Sequence, residues 1–100
     1  MITEPQIDEI VQREAIRHLN KKAIDGVQSR AALDSEGRDA IRITIRLKPK
    51  TAKTLEGDAV LDALVAIKSA LANAGEARPS IVEYEEAGEL VEGDDADTKS

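Results

Sequence analysis

The sequence contains no cysteine, tryptophan or phenylalanine, and its only aromatic residue is Tyr84. Without cysteine, the chain can form neither disulfides nor thiolate metal sites. Without a row of aromatic side chains, it lacks the stacking platform on which sheet proteins bind the bases of single-stranded nucleic acids. The core must be built from Ile, Leu, Val and Ala, and the small area of these side chains favours additional burial against a second copy.

Catalytic and metal-binding residue sets are also scarce. The single histidine, His18, lies beside Arg17 in a charged segment, and no Cys–His or Ser–His–carboxylate set can be assembled. Asp34, Glu36 and Asp39 lie close together in sequence but not at EF-hand spacing, and no phosphate-binding loop or dinucleotide motif is present. The sequence therefore predicts a protein that is not an enzyme and that has no cofactor and no metal.

The chain has no apolar run long enough to span a membrane. Together with the lack of cysteine, this composition favours a cytoplasmic protein that has no contact with membranes.

Charge is distributed unevenly along the sequence. Segment 85–100 holds seven acidic residues and one basic residue, so it accounts for the whole net charge of −6. The rest of the chain is neutral, although segment 38–53 within it holds six basic residues and one acidic residue. Since large apolar residues nearly vanish after residue 84, we predict one domain over residues 3–84 and an acidic, disordered tail over residues 85–100.

A capping-box pattern begins the first predicted helix. Thr3 is placed as its N-cap, with Gln6 three positions later and Pro5 between them. Aliphatic residues then recur at spacings of mostly three and four as far as Ile24, and Asp25-Gly26 is predicted to end the helix.

The second predicted helix has Asp58 as its N-cap and runs to about Ala74. Gly75 follows at the position where glycine commonly ends a helix. The face predicted to pack on the sheet comprises Val60, Leu61, Leu64, Val65, Ile67, Lys68 and Leu71.

Three strands are predicted, at Val27–Leu33, Arg38–Lys48 and Ser80–Tyr84. Asp34 and Gly37 indicate a type I turn in a three-residue hairpin loop between the first two strands. This loop pairs Ala31 with Ile41, Ser29 with Ile43, Val27 with Ile45, Gln28 with Thr44, and Arg30 with Arg42. The third strand should lie parallel to the second through a right-handed helical crossover. The predicted fold is α+β, a two-layer αββαβ arrangement with both helices on one face of a three-stranded mixed sheet.

The opposite face of this sheet is the candidate site. Arg30 and Arg42 face each other there, which is unfavourable unless their charge is compensated. Three alternatives are open: the arginines extend into solvent, a carboxylate of the same chain such as Glu83 or the acidic tail pairs with them, or an external anion or acidic partner binds. The candidate anion- or partner-binding residues are Arg30, Arg42, Arg46, Lys48, Lys50 and Lys53.

These features predict a protein-interaction or regulatory module that pairs with itself or with another protein through its sheet face or edge. The alternative is an RNA- or DNA-binding module that uses the basic strand face and is autoinhibited by the acidic tail. The predicted element order resembles the KH fold in topology, which would imply nucleic-acid binding, but the Gly-x-x-Gly loop of that fold is absent.

Overall fold

A computed structural model describes residues 2–51 and 55–93 of the chain. Within these residues the chain forms two α-helices, a short 3₁₀ helix and four β-strands: α1 (Glu4–His18), the 3₁₀ helix (Lys21–Ala23), β1 (Ile24–Leu33), β2 (Asp39–Leu47), α2 (Gly57–Asn73), β3 (Ser80–Glu86) and β4 (Glu89–Gly93). The predicted α+β class and mixed sheet are therefore confirmed.

The start of α1 follows the predicted capping box. The backbone N–H of Gln6 donates to Thr3 Oγ1, and the backbone N–H of Thr3 donates to Gln6 Oε1. The predicted end of this helix at Ile24 is wrong, since α1 stops at His18. Asn20 caps the following 3₁₀ helix through its side chain, and Ile24 pairs with Leu47 in the sheet. Sheet pairing therefore overrides a helical spacing that continues in the sequence.

The β1–β2 hairpin has the predicted register throughout, including the Arg30–Arg42 pair. Gly37 closes the loop with a φ of 80°, and the backbone N–H of Asp34 donates to the carbonyl of Arg38. A left-handed glycine at this position is what a three-residue hairpin loop requires.

The sheet contains a fourth strand that the sequence did not predict. Its order is β1-β2-β3-β4, with β2 and β3 parallel and both outer strands antiparallel to their neighbours. Ala87 and Gly88, both with positive φ, form a two-residue turn that returns the chain from β3 to β4. The prediction of three strands and a disordered tail from residue 85 is corrected accordingly. Residues 94–100, where the rest of that tail was predicted, lie outside the described residues.

The core contains residues of the sheet and of both helices. Alternate residues of β2 supply its largest share, as the period of a strand requires. Its buried members are Ile7, Val11, Ala15, Ile24, Ile41, Ile43, Ile45, Leu47, Ile67, Leu71, Val82 and Tyr84.

The α2 helix is rotated relative to the prediction. Its N-cap is Glu56 rather than Asp58, and its most buried residues are Ala63, Ile67 and Leu71, which recur every fourth position. Leu61 and Val65, predicted to face the sheet, are exposed. Because α2 also packs against α1, its small residue Ala63 lies inward, where two helices can approach closely. None of the helices in residues 2–51 and 55–93 combines the length and the apolar character that crossing a membrane requires.

Candidate functional site

The sheet face opposite the core carries charges of both signs. The register places Arg30 opposite Arg42 between β1 and β2, and Arg46 opposite Glu85 between β2 and β3. Glu83 lies on the same face opposite Thr44, two register positions from the pair that Arg42 forms with Ile81. We call this surface the open face, and it contains three of the six residues predicted for the site.

An ion pair between Arg42 and Glu83 dominates the open face. Arg42 Nη1 donates to Glu83 Oε2, and the side chains of these residues are only 37% and 17% exposed. For Arg42, the structure therefore selects the second alternative, a carboxylate of the same chain. Compensation of this guanidinium also reduces its repulsion from Arg30, which is exposed.

Arg46 lies across a glycine of the neighbouring strand. Gly26 is its register partner, directly after an irregularity in β1. A Cβ atom built at Gly26 would lie 2.5 Å from Arg46 Nη2, so any larger residue at position 26 would displace the guanidinium. Glycine thus provides the space for Arg46 to cross the sheet surface.

The predicted lysines do not join the arginines on the open face. Lys48 follows β2, and its backbone N–H donates to the carbonyl of Ala23 (2.9 Å), which holds it beside the 3₁₀ helix. Lys50 has a φ of 69°, and its backbone N–H donates to Glu86 Oε2 (2.9 Å). Lys53 lies outside the described residues. The described members of the predicted set therefore lie in three places: the open face, the end of β2 beside the 3₁₀ helix, and the loop after β2.

Lys48 lines a pocket of about 410 Å³ that sequence reasoning missed. The other lining residues come from α1, the 3₁₀ helix and the start of β1. Together they are Gln12, Ile16, Lys21, Lys22, Ile24 and Lys48, and we call this site the lysine pocket. The adjacent pair Lys21-Lys22 is the only signal in the sequence, because nothing local indicates that Lys48 lies beside it.

A buried ion pair at the opposite end of α1 was also missed. The Glu76 side chain is fully buried and accepts hydrogen bonds from Arg78 Nε (2.8 Å) and Nη2 (3.0 Å). It also accepts from the backbone N–H groups of Arg78 and Ile2. The side-chain hydrogen bonds from Arg78, helped by these backbone donors, lower the pKa of Glu76 to about 2 against the opposing effect of burial. This pair fixes the segment before α1 to the segment before β3.

The acidic hairpin loop has a local structural role. The Asp34 carboxylate accepts hydrogen bonds from the backbone N–H groups of Arg38 and Glu36 and from Arg38 Nε. The hydrogen bonds from Arg38 and Glu36 lower the pKa of Asp34. No group of three or more His, Cys, Asp or Glu side chains suited to a metal ion occurs among the residues that the structure describes.

No protein-family model matches this chain, and no curated protein matches it in sequence.

Proposed function

We propose that this chain is a two-layer α+β protein-interaction module without enzymatic activity, and that its partner is a second copy or another protein. The observation that carries the proposal is on β4. Leu90 is 60% exposed and Val91 is 43% exposed, and both lie on an outer strand of the sheet. The cytoplasmic location favoured by the lack of cysteine is part of the same proposal.

The position of β4 suits the addition of a strand. Among the residues that the structure describes, β4 has β3 as its only neighbour in the sheet, so its other edge faces outward. An outer edge offers backbone donors and acceptors to a partner strand, and flanking apolar side chains add affinity and specificity. Leu90, opposite Glu85 in the register, shares the open face with the arginines. A partner on this edge would thus contact both apolar and charged groups.

The alternative of nucleic-acid binding is less well supported by the open face. Arg42 is paired with Glu83, and Arg46 lies opposite Glu85, so two of the three arginines are next to a carboxylate. Nearby acids reduce the positive potential that attracts a phosphate backbone. Among the described residues, the only aromatic side chain is Tyr84, which belongs to the core rather than to this face.

Aspartate substitutions on the two outer strands test the proposal. Leu90→Asp should reduce partner affinity at least about tenfold, because a carboxylate would be desolvated at the interface. Leu33→Asp on β1 is the matched control, since Leu33 is similarly exposed, at 61%. Light scattering over a range of concentrations measures self-association, and affinity capture from lysate followed by binding to the purified partner measures association with another protein.

The expected result is loss of the complex with Leu90→Asp and its retention with Leu33→Asp, with both variants folded by circular dichroism. A wild-type chain that stays monomeric and captures no protein would refute the proposal. Equal weakening by both substitutions would refute the assignment to β4. Oligonucleotide binding that falls steeply with salt and is lost in Arg42→Glu would support the nucleic-acid alternative instead.

A further inference from the structure

The lysine pocket is formed by backbone segments that hydrogen bonds hold together. The side chain of Asn20 accepts from the backbone N–H of Lys22 (2.8 Å) and fixes the 3₁₀ helix. The backbone N–H of Lys48 donates to the carbonyl of Ala23 (2.9 Å) and fixes the end of β2 beside it. Lys21, Lys22 and Lys48 are therefore brought to one pocket by the fold, although 26 positions separate Lys22 from Lys48 in the chain.

None of the three lysines around this pocket is in an ion pair with another described residue, although the Glu86 carboxylate lies nearby and accepts from the backbone N–H of Lys50. Each of the three lysines is exposed, and their ammonium groups form no ion pair or side-chain hydrogen bond within residues 2–51 and 55–93. The nearest acidic residue in sequence, Asp25, is exposed and follows Ile24 at the irregularity in β1. Like charges around one concavity create a positive potential, and an anion that enters would lower their mutual repulsion.

The remaining walls of the pocket indicate the type of anion. Ile24 is buried and belongs to the core, and Ile16 is half-buried against it, so one side of the pocket is aliphatic. Gln12 adds an amide that can donate or accept. The volume of about 410 Å³ falls in the range of about 300–1,000 Å³ that is typical of small-molecule sites.

We propose that the lysine pocket binds a small molecule that carries a phosphate or carboxylate group on an apolar body. The ammonium groups of Lys21, Lys22 and Lys48 contact the anionic group, and the apolar body lies against Ile16 and Ile24. Charge-assisted hydrogen bonds to the anion supply orientation as well as affinity. This proposal is independent of the partner edge on β4, because the pocket lies at the other side of the sheet order, beside β1.

Titration of the full chain with three probes tests the proposal. Hexyl phosphate and heptanoate carry the two anionic groups on similar apolar bodies, and hexanol has the apolar body without charge. Binding is followed by the amide chemical shifts of Lys21, Lys22 and Lys48. We expect saturable shifts with hexyl phosphate, heptanoate or both, and the tighter of the two identifies the anionic group. Hexanol should bind at least about tenfold more weakly.

Variants that remove one charge distinguish binding in the pocket from non-specific attraction of anions to a basic surface. Lys21→Gln and Lys48→Gln should each weaken anion binding about three- to tenfold, the range of an exposed to partly exposed charge contact. Lys50→Gln removes the same charge from the adjoining loop but not from the pocket, and it should leave the affinity within about twofold.

Four results would overturn the proposal. The first three are the absence of saturable shifts with either anion at millimolar concentrations, equal binding of hexanol, and equal weakening by Lys50→Gln and Lys48→Gln. A fourth is a loss of stability in Lys21→Gln with unchanged anion affinity, because the lysines would then serve only to interact with the end of α1.

Discussion

The two outer strands of the sheet, β1 and β4, are attached to the rest of the molecule in different ways. Strand β1 has ten residues, pairs with β2 from Ile24 to Leu33 with one irregularity after Ile24, and contributes Ile24 to the core. It is also tied to α1, because Ser29 Oγ donates to Asp8 Oδ1 (2.6 Å). Strand β4 has five residues, pairs with β3 across an irregularity, and leaves its large apolar side chains Leu90 and Val91 exposed.

This difference shows that pairing alone does not determine the role of an outer strand. Within residues 2–51 and 55–93 both strands have one edge without a neighbouring strand, but β1 is anchored by side chains that bury apolar area and form a hydrogen bond with a helix. Strand β4 depends mainly on backbone pairing, whose net contribution to stability is small for each bond. A strand of this kind can rearrange to accept a partner at lower cost to the core, which supports our placing the interaction at β4.

The largest expected effect concerns the buried pair that supports the β1 side. Glu76 holds Ile2 at the start of α1, and α1 packs on β1. Glu76→Gln leaves Arg78 largely buried without its carboxylate, so the free energy of unfolding should fall by about 3–5 kcal/mol. Urea denaturation at neutral pH measures this change. A loss below about 1 kcal/mol would contradict the view that this ion pair stabilises the packing of α1 on β1.

Acid provides an independent measure of the same pair. The pKa of Glu76 is lowered from 4.5 to about 2, chiefly by its side-chain hydrogen bonds with Arg78. The unfolded chain therefore binds this proton first, and the stabilisation is complete above about pH 5 and is lost as the pH falls towards 2. It amounts to about 3 kcal/mol. Unfolding curves between pH 6 and pH 2 should show this slope in the wild type, and Glu76→Gln should lack it.

The next prediction compares the outer strands directly through equivalent truncations. Ile24→Ala on β1 should lower the free energy of unfolding by about 2–4 kcal/mol, because it leaves a cavity in the core. Leu90→Ala on β4 should change it by less than about 0.5 kcal/mol, because the side chain is already exposed. Urea denaturation of both variants measures the contrast. Similar losses at the two positions would mean that β4 is as well integrated as β1.

The sequence is sufficient to predict the hairpin that contains β1. Asp34 and Gly37 define the loop, and once the loop length is set, the alternation of isoleucines in β2 fixes which residues share a face. The same reasoning placed Glu83 near the arginine row, where it pairs with Arg42. On β1 the predicted inner face is only partly buried: Ser29 is buried, whereas Ala31 near the hairpin end is exposed.

The features that sequence reasoning missed depend on tertiary contacts. Strand β4 has only two large apolar residues among acids, and its turn places Ala87 at a positive φ that alanine rarely adopts. Strand β4 pairs with the edge of β3 that β2 does not occupy. The predicted end of α1 was wrong because Ile24 continues the helical spacing of apolar residues, whereas in the structure it belongs to β1 and pairs with Leu47. The lysine pocket combines α1 with the end of β2, and no local pattern records that proximity.

The smallest expected effect distinguishes two arginines that face each other on the open face. Arg42→Gln should lower the free energy of unfolding by about 1 kcal/mol, because it removes the partly buried pair with Glu83. Arg30→Gln on the outer strand should be neutral or slightly stabilising, since it removes a like charge opposite Arg42. Thermal unfolding at low and high salt measures both variants, and the difference between them should shrink as salt screens the charges. Equal destabilisation by the two substitutions would mean that Arg30 also has a carboxylate partner. The arginines of β1 and β2 would then be stabilised to the same extent on the open face.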